Sequence, residues 1–118
     1  MPFFFYWRSG ASVLFEEAFH GGRRYPGRFF TMWIRSGAGA SLRLGVVAGR
    51  RTFRKSVERS RAKRLMREAF RLNRSRFTGE VDVILSARRG ILDVSCQEVE
   101  RDLLGVARRA NLLPRGQR

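Results

Sequence analysis

Lys63, Arg64, Arg67, Arg71 and Arg74 recur at intervals that place them on one side of an α-helix. Their cationic heads suit one kind of chemistry, charge-assisted hydrogen bonding to phosphate oxygens. Arg59 and Arg61 fall near the two seams of that face. Opposite them, Ala62, Leu65, Met66, Ala69 and Phe70 share an arc of roughly 140° and require a core. Residues 58–76, ERSRAKRLMREAFRLNRSR, are therefore expected to form one two-faced basic helix. A solvated polar face is the ordinary explanation of such a pattern. The one-sidedness of the charge argues against it here. From Arg43 to Arg76 there are 13 basic residues, opposed only by Glu58 and Glu68.

Residues able to break bonds are scarce. His20 is the single histidine, beside Gly21 and Gly22, and is expected to be structural or exposed. The 10 acids include no D-x-D or H-E-x-x-H pattern that would hold metal ions. Asp82 stands alone in a predicted strand. Glu98 reads as a helix cap, and Glu100 and Asp102 as acids favoured by the dipole near a helix N-terminus. Cys96, the one cysteine, has neither a neighbouring His nor a second Cys, so no thiol nucleophile and no zinc site is supported. A glycine-rich phosphate loop ending in Lys-Ser/Thr is absent. The chain reads as a binder, with no catalytic residue and no metal ligand of its own.

A chain of 118 residues is expected to be one domain spanning 1–118, with one core. Apolar residues make up 43% and aromatics 12%, which separates this chain from charged disordered ones. The net charge of +15 opposes compaction unless a polyanion relieves it. Of 25 basic residues, all but Lys55 and Lys63 are Arg. Arg offers a fork to phosphate and stacks on bases, yet GC-rich coding gives the same bias, so the total charge carries the weight. A lone cysteine fits a reducing cytoplasm. The opening MPFFFYW is too short and lacks the flanks of a signal peptide or a membrane span, so no membrane association is expected.

The elements that must position these residues follow in order. Residues 1–10 have no clear assignment. From Ser12 the spacing of Leu14, Phe15, Ala18 and Phe19 predicts a helix ended by Gly21 and Gly22. Arg23, Arg24 and Arg28 surround a turn at Pro26-Gly27. Phe29 to Arg35 reads as a strand with Phe30, Met32 and Ile34 on one face and Phe29, Thr31 and Trp33 on the other. Ser36 to Ala40 reads as a hairpin loop into a second strand, Leu42 to Ala48. Arg50-Arg51 open a basic connection into the central helix. Phe77 to Glu80 forms a turn, Val81 to Ala87 an interior strand, and Arg88-Arg89-Gly90 a basic turn. A capping box of Ser95 and Glu98 starts a last helix carrying Val99, Leu103, Val106, Ala107 and Ala110, closed by Pro114 before a loose tail over 114–118. The expected fold is α+β, a two-layer sandwich of helices on a small sheet.

A second binding feature is aromatic. Phe15 and Phe19 lie one helical turn apart, and Phe29 and Trp33 share a strand face. Such aromatics beside a helix make a stacking platform for unpaired bases, and the same spacing also fits four core residues.

Arg59-Ser60-Arg61-Ala62-Lys63-Arg64-Leu65-Met66-Arg67-Glu68-Ala69-Phe70-Arg71 resembles the R-N-R-x-K-R-x-x-R-E-x-F-R signature of the bacterial ribonuclease P protein component. The likeness continues through Phe15-x-x-x-Phe19, Gly22, Arg28-x-Phe30, Arg43-Leu44-Gly45, Arg50-Arg51 and Ala87-Arg88, covering about 14–110. It implies a sandwich of about three helices on a small sheet, similar to a domain of a small-subunit ribosomal protein, with a left-handed βαβ crossover. By base rate a right-handed one would be expected. It also implies that Arg59, Ser60, Arg61, Lys63, Arg64 and Arg67 dock on a catalytic RNA subunit. Phe15, Phe19 and Trp33 would hold the single-stranded 5′ leader of precursor tRNA. Phe30 also falls on a family position, but the alternation assigns it to the core.

In that reading the RNA subunit, with Mg²⁺, attacks the phosphodiester, so the endonuclease is the ribonucleoprotein. The partners are that RNA and precursor tRNA, with no obligate protein partner evident. Two departures stand out. Ser60 replaces the family Asn, keeping a hydrogen-bonding group but losing the bidentate amide. The start, MPFFFYWRSG, replaces the basic segment usual before the first helix. A ribosomal or other RNA-packaging protein would share the charge but not the matched aromatics. A protein-only nuclease would need the missing metal ligands.

Overall fold

The computed structural model describes residues 22–36 and 42–114. Strand β1 (Arg23–Pro26) turns through Gly27–Phe29 into β2 (Phe30–Ser36), followed by β3 (Leu44–Val47), helix α1 (Ser56–Asn73), β4 (Val81–Ala87) and helix α2 (Cys96–Arg109). Short 3-10 turns follow α1 at Arg74–Arg76 and β4 at Arg89–Asp93. The four strands form one sheet in the order β1-β2-β4-β3. The α+β expectation holds, with two α-helices among the described residues. The helix expected from Ser12, the segment 1–10 and the tail 115–118 lie outside the described residues.

Topology corrects one part of the sequence reading. β2 and β3 are not a hairpin, because β4 lies between them, antiparallel to β2 and parallel to β3. Val81 to Ala87 is the most apolar strand, and a central position buries both of its faces. A Gly-rich SGAGA between two strands imitates hairpin chemistry, and only the later strand shows that the partners are displaced. β3–α1–β4 is thus a parallel crossover with the basic helix as its connector. β3 itself is shorter than the expected 42–48, since Leu42 takes a left-handed conformation at φ 54°.

β1 was hidden in the sequence. RRYP has too little apolar content to signal a strand, yet it pairs with β2 as an edge, where Pro is tolerated. The turn between them is fastened to α2. Asp102 accepts the backbone N–H of Arg28 at 3.0 Å and that of Phe29 at 3.0 Å. Gly27 sits so close that an added Cβ would lie 2.8 Å from Asp102 Oδ2 and 2.9 Å from the carbonyl oxygen of Phe30. Asp102 is therefore a tertiary clasp rather than only a dipole-favoured acid. Asp102→Ala should lower unfolding free energy by about 1–3 kcal/mol, read by denaturant titration, because two backbone donors lose a charged acceptor.

The core lies between one face of the sheet and both helices. Phe30, Met32 and Ile34 from β2 and Val83, Leu85 and Ala87 from β4 meet Ala62, Met66, Ala69 and Phe70 of α1 and Val99, Leu103, Val106 and Ala107 of α2. The apolar arc of the basic helix is thus buried as its spacing requires, with Leu65 half-buried at its margin. Asn73, the last residue of α1, is buried and donates its amide to Ala69 O at 2.8 Å and Glu100 Oε1 at 2.9 Å. Glu100 therefore links the two helices. The capping box of α2 forms, with Glu98 N–H donating to Ser95 Oγ and Ser95 N–H to Glu98 Oε2. Asn111 in the left-handed region, with Leu112 N–H donating to Ala107 O at 2.9 Å, ends α2 three residues before Pro114 does.

Candidate nucleic-acid interface

α1 begins two residues earlier than the sequence suggested and ends at Asn73, so Arg74 belongs to a 3-10 turn and leaves the cationic stripe. Ser60, Arg61 and Arg64 are exposed on the outer side, and Lys63 and Arg67 are half-buried there. Arg71 is engaged at 2.8 Å with Glu68, an exposed pair one turn apart. The Arg71 hydrogen bond holds the Glu68 carboxyl below the usual carboxylate range. Arg50, Arg51, Arg54 and Lys55 are all exposed in the connection that runs directly into the helix. One continuous run of cations thus leads from β3 along α1, and it faces away from the sheet.

Arg59 has a different task. Its guanidinium donates to the carbonyl oxygens of Phe53 at 2.9 Å and Arg54 at 3.1 Å. Phe53 is fully buried, so Arg59 fixes the basic connection to the helix that follows. Arg89 secures the same connection, donating to Thr52 O at 3.0 Å and pairing with Glu58 at 3.3 Å. No sequence signal beyond the isolated acid at position 58 pointed to that contact. The cationic run is therefore positioned by Arg59 and Arg89 and presented by others.

The opposite face of the sheet carries the second candidate. Trp33 is half-buried there, and Phe30, assigned to the other face by the alternation, is fully buried in the core as expected. The Arg24 guanidinium lies 5.8 Å from the centroid of a Trp33 ring, which places a cation beside a stacking surface. Ile84 is opposite Trp33 in the register and fully buried. Phe29 departs from the expected platform. It precedes β2 in the turn and packs towards the core and α2. Phe15 and Phe19 lie outside the described residues.

On this same face the acid expected to stand alone has two arginine partners among the described residues. Asp82 is fully buried and accepts from Arg35 at 2.8 Å and from Arg43 at 3.0 and 2.9 Å. Among the described residues, one carboxylate thus serves two guanidinium groups. Sequence periodicity could place Asp82 and Arg35 on a common face, but the pairing needs β4 beside β2.

Nothing in this set forms a hydrolytic centre. Among the described residues no three His, Cys, Asp or Glu side chains group closely enough to hold a metal ion. Burial pushes the Cys96 thiol up, away from the reactive thiolate. No described helix is long and apolar enough to cross a membrane. Among the described residues, a cationic surface runs along α1, and Arg24 lies beside Trp33 on the far face of the sheet.

Known proteins share both the sequence and the fold. Residues 11–111 match the family model described as Ribonuclease P. The Ribonuclease P protein component of Pelotomaculum thermopropionicum is 35% identical over 91 residues, covering 77% of this chain and 80% of that protein. Its counterpart from Pseudomonas fluorescens is 40% identical over 76 residues, covering 64% of this chain and 56% of the relative. The RNase P protein from Thermotoga maritima superposes with a TM-score of 0.72 at 25% identity, over 87% of this chain and 94% of that one. The Staphylococcus aureus RNase P protein shares the fold at a TM-score of 0.76, with 22% identity over 93% and 98% of the two chains. With the family model covering most of its length, the chain belongs to the Ribonuclease P protein family.

Proposed function

We propose that the chain is the protein subunit of a ribonuclease P holoenzyme, docking on a catalytic RNA through the outer face of α1 and the connection before it. The observation that carries this is the division of α1 between a core side built from Ala62, Met66, Ala69 and Phe70 and an outer side rich in cations, in a chain of this family. Arg61 and Arg64, with Ser60, Lys63 and Arg67, meet RNA phosphates, while Arg59 holds the docking surface in shape. The Trp33 face, together with Phe15 and Phe19, grips the unpaired 5′ leader of precursor tRNA. Arg24 supplies positive charge beside it.

Hydrolysis of the phosphodiester belongs to the RNA subunit with its Mg²⁺. Among the described residues no three His, Cys, Asp or Glu side chains group to hold a metal, Asp82 being engaged by arginines and Asp102 by two backbone N–H groups. The protein instead favours precursor over mature tRNA and screens charge between RNA strands. The family likeness extends this reading to a left-handed β3–α1–β4 crossover, a further helix before β1, and action in the cytoplasm without an obligate protein partner.

Reconstitution with a bacterial catalytic RNA and precursor tRNA at low Mg²⁺ tests the proposal. Adding the protein should stimulate cleavage, and absence of stimulation with intact RNA would refute it. Within that assay, Phe19→Ala and Trp33→Ala should each weaken precursor binding by roughly 5- to 100-fold, the worth of one base–aromatic stack. Mature tRNA should bind as before. Equal losses for both would return these aromatics to a packing role.

A further inference from the structure

A cleft of about 390 Å³ lies between the β1–β2 turn and α2. Arg28 and Phe29 line it from the turn, and Arg101, Gly105, Val106 and Arg109 from the helix. None of these residues belongs to α1 or to the Trp33 face. Two acids also border it, but both are committed. Asp102 accepts the backbone N–H groups of Arg28 and Phe29, and Glu98 accepts that of Ser95 at 2.9 Å. Arg109 spends one N–H on Pro26 O. Three guanidinium groups with five N–H donors each thus retain most of their donors and outnumber the two carboxylates that border the cleft. Phe29 is half-buried, with the Arg28 guanidinium 5.6 Å from its ring centroid. Val106 and Gly105 leave the helical wall low, and an added Cβ at Gly105 would meet nothing within 4 Å.

We infer that this cleft is a subsite for one unpaired nucleotide, its phosphate held by Arg28 and Arg101 and its base stacked on Phe29. Phosphate calls for guanidinium forks and a base calls for an aromatic or a guanidinium plane, and the cleft offers both within the volume of a small-ligand pocket. The inference rests on the RNA-binding reading and adds a third contact, on the flank of the sandwich. The nucleotide comes from the catalytic RNA or from precursor tRNA.

The test begins with the ¹⁵N-labelled full chain titrated with uridine 5′-monophosphate, inorganic phosphate or uridine at low salt. The monophosphate should shift the resonances of Arg28, Phe29, Arg101 and Gly105, with phosphate weaker and uridine weaker still. Gly105→Leu fills the cleft and improves helix propensity, so it should fold and yet lose this binding by about 5-fold or more. Arg28→Gln with Arg101→Gln should do the same. Wild-type and Gly105→Leu proteins are then compared for affinity to the catalytic RNA alone and, once assembled, to precursor tRNA. A loss of about 5-fold with one of them identifies the strand.

No shift at the cleft would overturn the inference, as would equal competition by hexaglutamate, which would mark an acidic-peptide site. Unchanged affinity of Gly105→Leu for both RNAs would overturn it too. If Arg61→Ala still weakens docking in those cases, the RNA-binding reading stands alone. Failure of the wild-type protein to bind the catalytic RNA would remove both.

Discussion

Asp82→Asn is expected to destabilise the protein by about 3 kcal/mol, a large share of the 5–15 kcal/mol typical of a small domain. Asp82 is fully buried, while Arg35 and Arg43 are 12% and 22% exposed at their side chains. Removing the carboxylate leaves two guanidinium groups close together with their shared counter-charge gone, and neither can lose its proton. Partial exposure of both arginines tempers the cost below the upper range for a fully buried pair. The measurement is urea unfolding of both proteins. Replacing all three residues with leucine should recover much of the loss, since buried ion clusters often exchange for apolar ones at little net cost. If Asp82→Asn unfolds at the wild-type midpoint, the cluster is a surface feature and not a structural one.

Arg61→Ala combined with Arg64→Ala should weaken assembly with the catalytic RNA by roughly 10- to 100-fold near physiological salt, as expected for two lost charge-assisted contacts. The dependence of log affinity on log salt should flatten by about 0.9 per phosphate contact removed on duplex RNA treated as B-DNA, and by about 0.7 on single strands. Thermal stability should stay near wild type, because both side chains are exposed. Arg59→Ala should behave differently. It removes donors to Phe53 and Arg54 carbonyls, so both stability and assembly should fall. A double variant that assembles normally with an unchanged salt slope would move the docking surface off α1.

Much of this molecule was legible before folding. The two faces of α1 follow from a 3.6-residue period, and Ala62, Met66, Ala69 and Phe70 are buried as that period requires. Alternation separated Phe30 from Trp33, and local hydrogen bonding set the Ser95–Glu98 cap. What failed was strand partnership. β1 lacks the apolar content that marks strands, and the glycines after β2 suggested a hairpin that the sheet order does not contain.

The basic helix, its charge and the absence of a hydrolytic motif were determined by the sequence, because helical periodicity and side-chain chemistry are local properties. Tertiary structure decided which cations are presented and which are consumed. Arg59 turns to backbone carbonyls, Arg35 and Arg43 converge on Asp82, and Asp102 clasps the β1–β2 turn, opening a cleft beside Phe29. Each of these joins residues far apart in the chain except Arg59, whose partners lie in an irregular connection without a period. Contacts of that kind depend on which elements become neighbours, and no repeat along the chain encodes it.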